Sequence, residues 1–297
     1  MLKNLNILIT GATGFIGYNL AKKLSKDNQI YCIVRDSSNI IKLQSLNNVK
    51  LITYDGGLDS LYNQISKVKI DIAYHLASLF VAEHNITQID QLIDSNIKFS
   101  TQLVDVLIEL GCLNFVNAGT IWQNYNNTKY NPVCLYAATK QAFMDILEYY
   151  NQVKGLSIVN LKIYDTYGYS DERKKLFWLF KKIANTSEIV DMPPGDQKLN
   201  LVYITDVVNA FELAGLILHD KVLQINETYG VYCQESYSLK ELASKFENIA
   251  RCKLNLNWGA KAYRTREVML PNMCLPKVPN WNAIIDIDHG IKLLIKE

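Results

Sequence analysis

Asn6-Ile-Leu-Ile-Thr10, running directly into Gly11-Ala-Thr-Gly14-Phe-Ile-Gly17, is the stretch whose reading decides the fold. The apolar run reads as a short buried strand, and the pattern from Tyr18 to Leu24 reads as a helix. Between them stands a Gly-x-x-Gly-x-x-Gly turn. Glycines there let the backbone approach a pyrophosphate and let helix and strand pack closely, while the helix N-terminus offers unpaired N–H groups to the anion. A glycine triplet alone is a weak signal, and a merely tight turn is the competing reading. Its place between a first strand and a first helix favours a dinucleotide site. Gly11, Thr13, Gly14, Phe15, Ile16 and Gly17 are then its phosphate-side residues.

Outward from the turn, Gln29-Ile-Tyr-Cys-Ile-Val34 is a second strand. It ends at Arg35-Asp36, about twenty residues beyond the glycines, where an acid ordinarily grips the ribose hydroxyls of NAD. A guanidinium suits a 2′-phosphate, so NADP(H) is the favoured cofactor; the adjacent Asp36, or an ordinary surface role for Arg35, are the competing readings. Val49 to Tyr54 is a third strand, and Asp55 after it either meets the adenine edge or caps the next helix. Ile70 to Tyr74 is a fourth, running into His75-Leu76-Ala77-Ser78, small residues placed beside a cofactor, with His75 read as packed. A long helix follows to about Gly111 and carries Asn96 on a face otherwise made of Leu92, Ile93, Phe99 and Leu103.

Phe115-Val-Asn-Ala-Gly-Thr120 reads as a buried strand that stops at a small hydroxyl residue, and Pro132 prepares a helix bearing Tyr136 and Lys140. Residues four apart share a helical face. A lysine ammonium beside a phenol favours the phenolate, which makes a tyrosine usable as an acid or base near neutrality; an amphipathic face arising by chance is the alternative. Thr120 offers a hydroxyl to the same oxygen.

Leu156 to Ile163 is a sixth strand, ending at Tyr164. Six strands alternating with helices predict an α/β fold, a doubly wound parallel Rossmann sheet whose ligand lies beyond the carboxyl ends of the strands, where Arg35, Asp55, Ser78, Thr120 and Tyr164 all fall. Past Gly168 the alternation gives way to an amphipathic helix from Arg173 to Asn185 and a polar turn from Met192 to Gln197. The spacing predicts a cofactor domain over 1–168 and a smaller C-terminal substrate-binding lobe over 169–200 and 227–297. Residues 201–226 return to the main sheet through Leu201 to Ile204, with Thr205-Asp206 as a helix cap. Ser238-Leu-Lys-Glu241 is a capping box. Arg264 and Arg266 suit a diphosphate, or form a solvated charge cluster.

Composition narrows the function. The 297 residues carry a formal charge of +2 and no like-charge block longer than Arg173-Lys174-Lys175, which argues against nucleic acid. The apolar stretch from Ala210 to Leu218 is broken by Glu212 and too short to span a membrane. The N-terminus reads as a first strand and not a signal peptide. Scattered cysteines without a Cys-x-x-Cys pair fit a reducing cytoplasm, and four histidines without ligand spacing predict no metal.

Taken together, the glycine turn, Asp71-x-x-x-His75-Leu-Ala, Asn96, Thr120, Tyr136-x-x-x-Lys140 and Tyr167-Gly168 resemble an extended short-chain dehydrogenase/reductase acting on nucleotide-activated sugars, over nearly the whole chain. Gly119-Thr-Ile-Trp-Gln123, Asp165-Thr-Tyr-Gly168, Pro194-Gly-Asp-Gln197 and Arg264-Thr-Arg-Glu-Val-Met269 are similar to 4-ketosugar reductases of the CDP-abequose and CDP-paratose synthase type. The resemblance implies Tyr136 as proton donor to the sugar O4, Lys140 as its partner and a ribose ligand, and Thr120 as the hydroxyl holding the carbonyl oxygen. It places Gly195, Gln197 and Asn200 near the nucleotide, Arg264 or Arg266 at the diphosphate, and Trp122 and His84 at the sugar, and it implies a homodimer. Ile121 and Trp122 stand where the sugar 4,6-dehydratases of the family carry an Asp-Glu pair, and no cysteine follows Thr120 as in the epimerase-reductases. A simple NADPH-consuming reductase of a CDP- or GDP-linked 4-keto-6-deoxy sugar, supplying a bacterial surface polysaccharide, is the expectation. A 4-epimerase with tightly held NAD, or a non-catalytic nucleotide-binding protein, are the alternatives.

Overall fold

A computed structural model describes residues 1–184 and 186–296. The first half alternates as expected: β1 (Asn6–Thr10), α1 (Phe15–Leu24), β2 (Gln29–Val34), α2 (Ile41–Gln44), β3 (Val49–Thr53), α3 (Leu58–Ile65) and β4 (Ile72–His75). There follow α4 (Ile89–Ile93), α5 (Phe99–Glu109), β5 (Asn114–Thr120), α6 (Leu135–Lys154) and β6 (Ser157–Ile163). After β7 (Asp165–Tyr167) come α7 (Leu176–Ile183), β8 (Val190–Met192), β9 (Lys198–Leu199), β10 (Leu201–Tyr203), α8 (Ile204–Asp220) and β11 (Asn226–Val231). The chain closes with β12 (Tyr237–Ser238), α9 (Leu239–Ala250), β13 (Leu256–Trp258) and α10 (Ile287–Ile295).

Seven parallel strands form the main sheet in the order β11-β6-β5-β4-β1-β2-β3. Side chains alternate across a strand, so each inner strand feeds two cores. Ile7 and Ile9 of β1, Val116 of β5 and Val159 of β6 pack on the face covered by α1 and α8. Leu8, Phe115 and Ile158 pack on the other face with Leu103 of α5 and Leu147 of α6. Burial on both faces is why these strands read as continuous apolar runs. The order reverses between β1 and β4, which opens the crevice beyond their carboxyl ends.

The structure corrects the second half. Leu201–Tyr203 does not rejoin the main sheet; it pairs with β7 in a separate ladder. The seventh strand is instead β11, parallel to β6 and mostly beyond residue 226, where the substrate lobe was expected to resume. Thr205-Asp206 does not cap α8, whose N-cap is Tyr203 without a side-chain bond. Asp206, 1% exposed, accepts the Ile284 and Ile285 N–H groups at 2.9 Å and so ties the C-terminal segment to α8. The amphipathic helix expected from Arg173 begins at Leu176, and Asn185 lies outside the described residues. The Ser238 capping box is formed, with reciprocal bonds to Glu241 at 3.1 and 2.7 Å. No helix among the described residues is long and apolar enough to cross a membrane.

Candidate active site

The glycine turn closes on itself, the Gly14 N–H donating to the Gly11 carbonyl at 3.0 Å. Gly11 holds φ +69°, and a Cβ there would lie 2.7 Å from the Ala77 nitrogen, so the turn sits hard against the chain leaving β4. A Cβ on Gly17 would lie 2.2 Å from the Gly11 oxygen. Gly14 caps α1 with no side chain over the first turn, which carries no acid. The first-turn N–H groups are thus left for an anion. Gly11, Gly14, Phe15, Ile16, Gly17, Leu76 and Ser78 line a crevice of about 300 Å3, together with Thr120, Tyr136 and Tyr164.

Other expected residues act from behind or stand outside that wall. His75 is wholly buried between Thr10 Oγ1 and Ser100 Oγ, each 2.9 Å away, and burial holds its imidazole well below the ordinary range. It is a packed residue, as read. Thr10 Oγ1 also accepts the Leu76 and Ala77 N–H groups at 3.2 and 3.1 Å. Asn96 lies in a π-helical turn, Asp94–Lys98, between α4 and α5. Its amide bonds both backbone groups of Leu79, at 2.7 and 3.0 Å, and Thr139 Oγ1 at 3.0 Å, so it holds the loop after Ser78 and is saturated by protein. Thr13 and Ala77 are not in the crevice lining. Arg35 and Asp55 are exposed at the ends of β2 and β3, and Asp55 accepts the Gly57 N–H at 2.9 Å in a turn before α3 without capping it.

Thr120 ends β5 and caps a short 3-10 turn, Ile121–Gln123, its Oγ1 accepting the Trp122 N–H at 3.3 Å. Its own N–H donates to Gln123 Oε1 at 2.9 Å, and Gln123, fully buried, donates on to Gln141 Oε1 at 2.8 Å. Gln123 was missed, although Thr120-x-x-Gln123 is the capping-box signature. The Tyr136 phenol bonds the Ser78 hydroxyl, and the Phe80 ring meets it edge-on at 5.0 Å. Burial pushes the phenol up to about 12, with Ser78 pulling part of the way back. Lys140 is 1% exposed, and burial brings its ammonium down to about 8. Burial is the largest influence on both groups.

On the substrate side the expected residues divide. Trp122 lines the crevice, 5.5 Å from the Phe80 ring, with the Arg264 guanidinium 5.2 Å over its own ring. Arg264 is held by both Glu267 oxygens at 2.9 and 2.8 Å. Arg266 donates to Asn131 and stacks 4.4 Å over Tyr125. Gly195, at φ +89°, packs on Trp258, and Gln197 is buried with its Oε1 unpartnered among the described residues. Asn200 is structural: its amide bonds the backbone of Cys233 and Glu235 at 2.8 to 3.0 Å and pins that loop. His84 is exposed and outside the crevice lining. Phe80, Asp165, Arg173 and Lys175 line the crevice and were not foreseen. Asp165, Thr166 and Lys175 also border a second cavity of about 500 Å3 against α7.

The model of the NAD dependent epimerase/dehydratase family matches residues 7–224. The chain belongs to that family. It is therefore an enzyme, and a nicotinamide dinucleotide is the cofactor class its glycine cradle and open helix N-terminus fit. Among its relatives, a CDP-abequose synthase of Yersinia pseudotuberculosis is 27% identical over 270 residues, 90% of this chain and 92% of that one. One from Salmonella muenchen is 26% identical, covering 98% and 97%. Of solved structures, a UDP-glucose 4-epimerase of Thermotoga maritima with UDP-glucose superposes with TM-score 0.84 at 20% identity, covering 98% of each chain. A UDP-glucuronic acid 4-epimerase of Bacillus cereus with NAD gives 0.82 at 20%, with the same coverage. At that identity the structures speak for the shared epimerase/dehydratase fold alone.

Proposed function

We propose that this family member reduces the C4 ketone of a nucleotide-linked 4-keto-6-deoxy sugar, CDP- or GDP-linked, with NADPH, in deoxysugar synthesis for a bacterial surface polysaccharide. One observation carries the reading. Beside Tyr136, the two residues after Thr120 are Ile121, buried, and Trp122, an aromatic crevice wall. Neither transfers protons, so the two positions after Thr120 supply no second acid or base of the kind that removal of water or C–H exchange demands, and the crevice carboxylate, Asp165, faces the Lys175 ammonium at 3.9 Å. The similarity to CDP-abequose synthases supports the substrate class.

A nicotinamide dinucleotide held at the glycine turn would supply the hydride to C4. Tyr136 gives its proton to O4 as the alkoxide develops; a phenol raised to about 12 is fully protonated at neutral pH and suited to donating. Thr120, fixed through Gln123, offers its hydroxyl to the same oxygen. Lys140 serves the ribose and is the charge partner of Tyr136. Phe80 and Trp122 exclude water from one side of the sugar. Purified protein mixed with NADPH and CDP-, GDP- and dTDP-4-keto sugars should oxidise the cofactor, read at the nicotinamide absorbance band. No oxidation with any of them would sink the reading. Asp36 beside Arg35 keeps a 4-epimerase in contention, and stoichiometric NAD released on denaturing the protein would favour it.

The same reading includes a homodimer. Ile89 and Ile93 of α4 and Tyr149 and Val153 of α6 are exposed apolar residues, and they support pairing of these helices across a two-fold axis. Sedimentation as a monomer at micromolar concentration would contradict it.

A further inference from the structure

We infer that Arg173 is a cofactor-binding residue, giving a fixed guanidinium edge to the diphosphate of the nicotinamide dinucleotide from the side opposite the glycine turn. The cations lining the crevice are Arg173 and Lys175. Lys175 lies toward the tyrosine end, 5.9 Å over the Phe80 ring and 3.9 Å from Asp165. Arg173 lies at the other end. Its guanidinium stacks 4.5 Å over the ring of Phe15, the first residue of α1, whose N–H belongs to the first turn left open to an anion.

The guanidinium is also preorganised. Nε and Nη2 donate to the two Asp171 oxygens at 2.7 Å each, and Nη2 donates to the Thr166 carbonyl at 2.7 Å. Nη1 has no hydrogen-bond partner among the described residues, and the side chain remains 32% exposed. A diphosphate brings two negative charges to a turn that offers N–H dipoles and no cation of its own. A planar guanidinium with one edge held and another open supplies a charge-assisted donor there at little ordering cost.

The competing role for Arg173 is a pin that merely fastens residues 166–173, and the two make different forecasts for Asp171. Titrations of the full chain with NADPH, NADH and ADP-ribose, followed by fluorescence and calorimetry, decide between them. ADP-ribose carries the diphosphate without the nicotinamide, so the test needs no sugar and stands apart from the proposed reaction. R173A should weaken all three by roughly tenfold to a hundredfold, the range for a lost charged hydrogen bond, and flatten the dependence of affinity on salt. R173Q, which keeps a polar planar group, should weaken them similarly and guards against misfolding of the alanine variant. D171N removes the counter-charge and loosens the guanidinium but leaves the cation, so its loss should stay well below that of the Arg173 variants. Loss of less than threefold in both Arg173 variants, or a D171N loss equal to theirs, would overturn the assignment.

Discussion

Gln123→Ala tests whether Thr120 is placed by its neighbour or by its own strand. Gln123 is fully buried and bridges two elements, accepting the Thr120 N–H at 2.9 Å and donating to Gln141 of α6 at 2.8 Å. Truncation leaves the Thr120 N–H and the Gln141 carbonyl oxygen without those partners. One buried orphan costs about 1–3 kcal/mol. For a chain of this size that lowers the melting temperature by roughly 2–5 °C. The catalytic effect is separate. Thr120 Oγ1 is held by the same 3-10 turn that Gln123 closes, and a reacting or orienting group misplaced by about 1 Å loses on the order of a hundredfold in rate. The expected pattern is a large fall in kcat with the cofactor dissociation constant within twofold, because Gln123 lies outside the crevice lining. Gln123→Glu keeps the acceptor for Thr120 and should recover part of the rate while remaining destabilised, since it faces the Gln141 oxygen without a hydrogen to donate. Thermal melts with steady-state kinetics give both numbers. A variant with unchanged kcat and a melting temperature within a degree would refute the positioning argument.

Tyr136→Phe should cut kcat by a hundredfold to ten-thousandfold while NADPH affinity stays within a few-fold; equal turnover would remove the phenol from the chemistry. Lys140→Met should separate stability from function. The ammonium titrates from 10.5 in the unfolded chain to about 8 when buried, so below pH 8 the folded state carries a buried charge whose burden, roughly 3 kcal/mol, is relieved as pH rises from about 8 to 10.5. The methionine variant should therefore melt higher than the parent at pH 7, with the gap closing by pH 10, and be inactive; a lower melting temperature at pH 7 would contradict the sign. Gly11→Ala combines a left-handed φ with a Cβ 2.7 Å from the Ala77 nitrogen, and should abolish detectable cofactor binding by calorimetry. Arg35→Asp should reverse the cofactor preference from NADPH toward NADH; an unchanged ratio of kcat/KM values would assign Arg35 to the surface.

What could be read from the chain, and what could not, follows how locally each feature is determined. The inner strands β1, β2, β4, β5 and β6 were legible because burial on both faces writes a largely apolar run, bounded by turns, into the sequence, and edge strand β3 showed through Val49, Leu51 and Ile52. Edge strand β11, Asn-Glu-Thr-Tyr-Gly-Val, exposes its first half and is invisible to that signal. Leu201-Val-Tyr203 carries the signal yet belongs to a three-residue ladder with β7, since periodicity reports burial and says nothing of the partner. The same blindness explains Asp206 and Asn200. Asp206 precedes a helical run as a cap would, but its partners are 78 and 79 residues away. Asn200 looks like a ligand contact until its amide is found on a loop 33 and 35 residues on. Tyr136 and Lys140 were legible through one helical turn, whereas their electrostatics were not. Spacing brings an ammonium and a phenol to one face; how deeply each is buried depends on Phe80, Ser78 and the sheet below. Burial pushes the phenol up while the Ser78 hydroxyl draws it part of the way back, and neither effect can be read from the Tyr-x-x-x-Lys spacing.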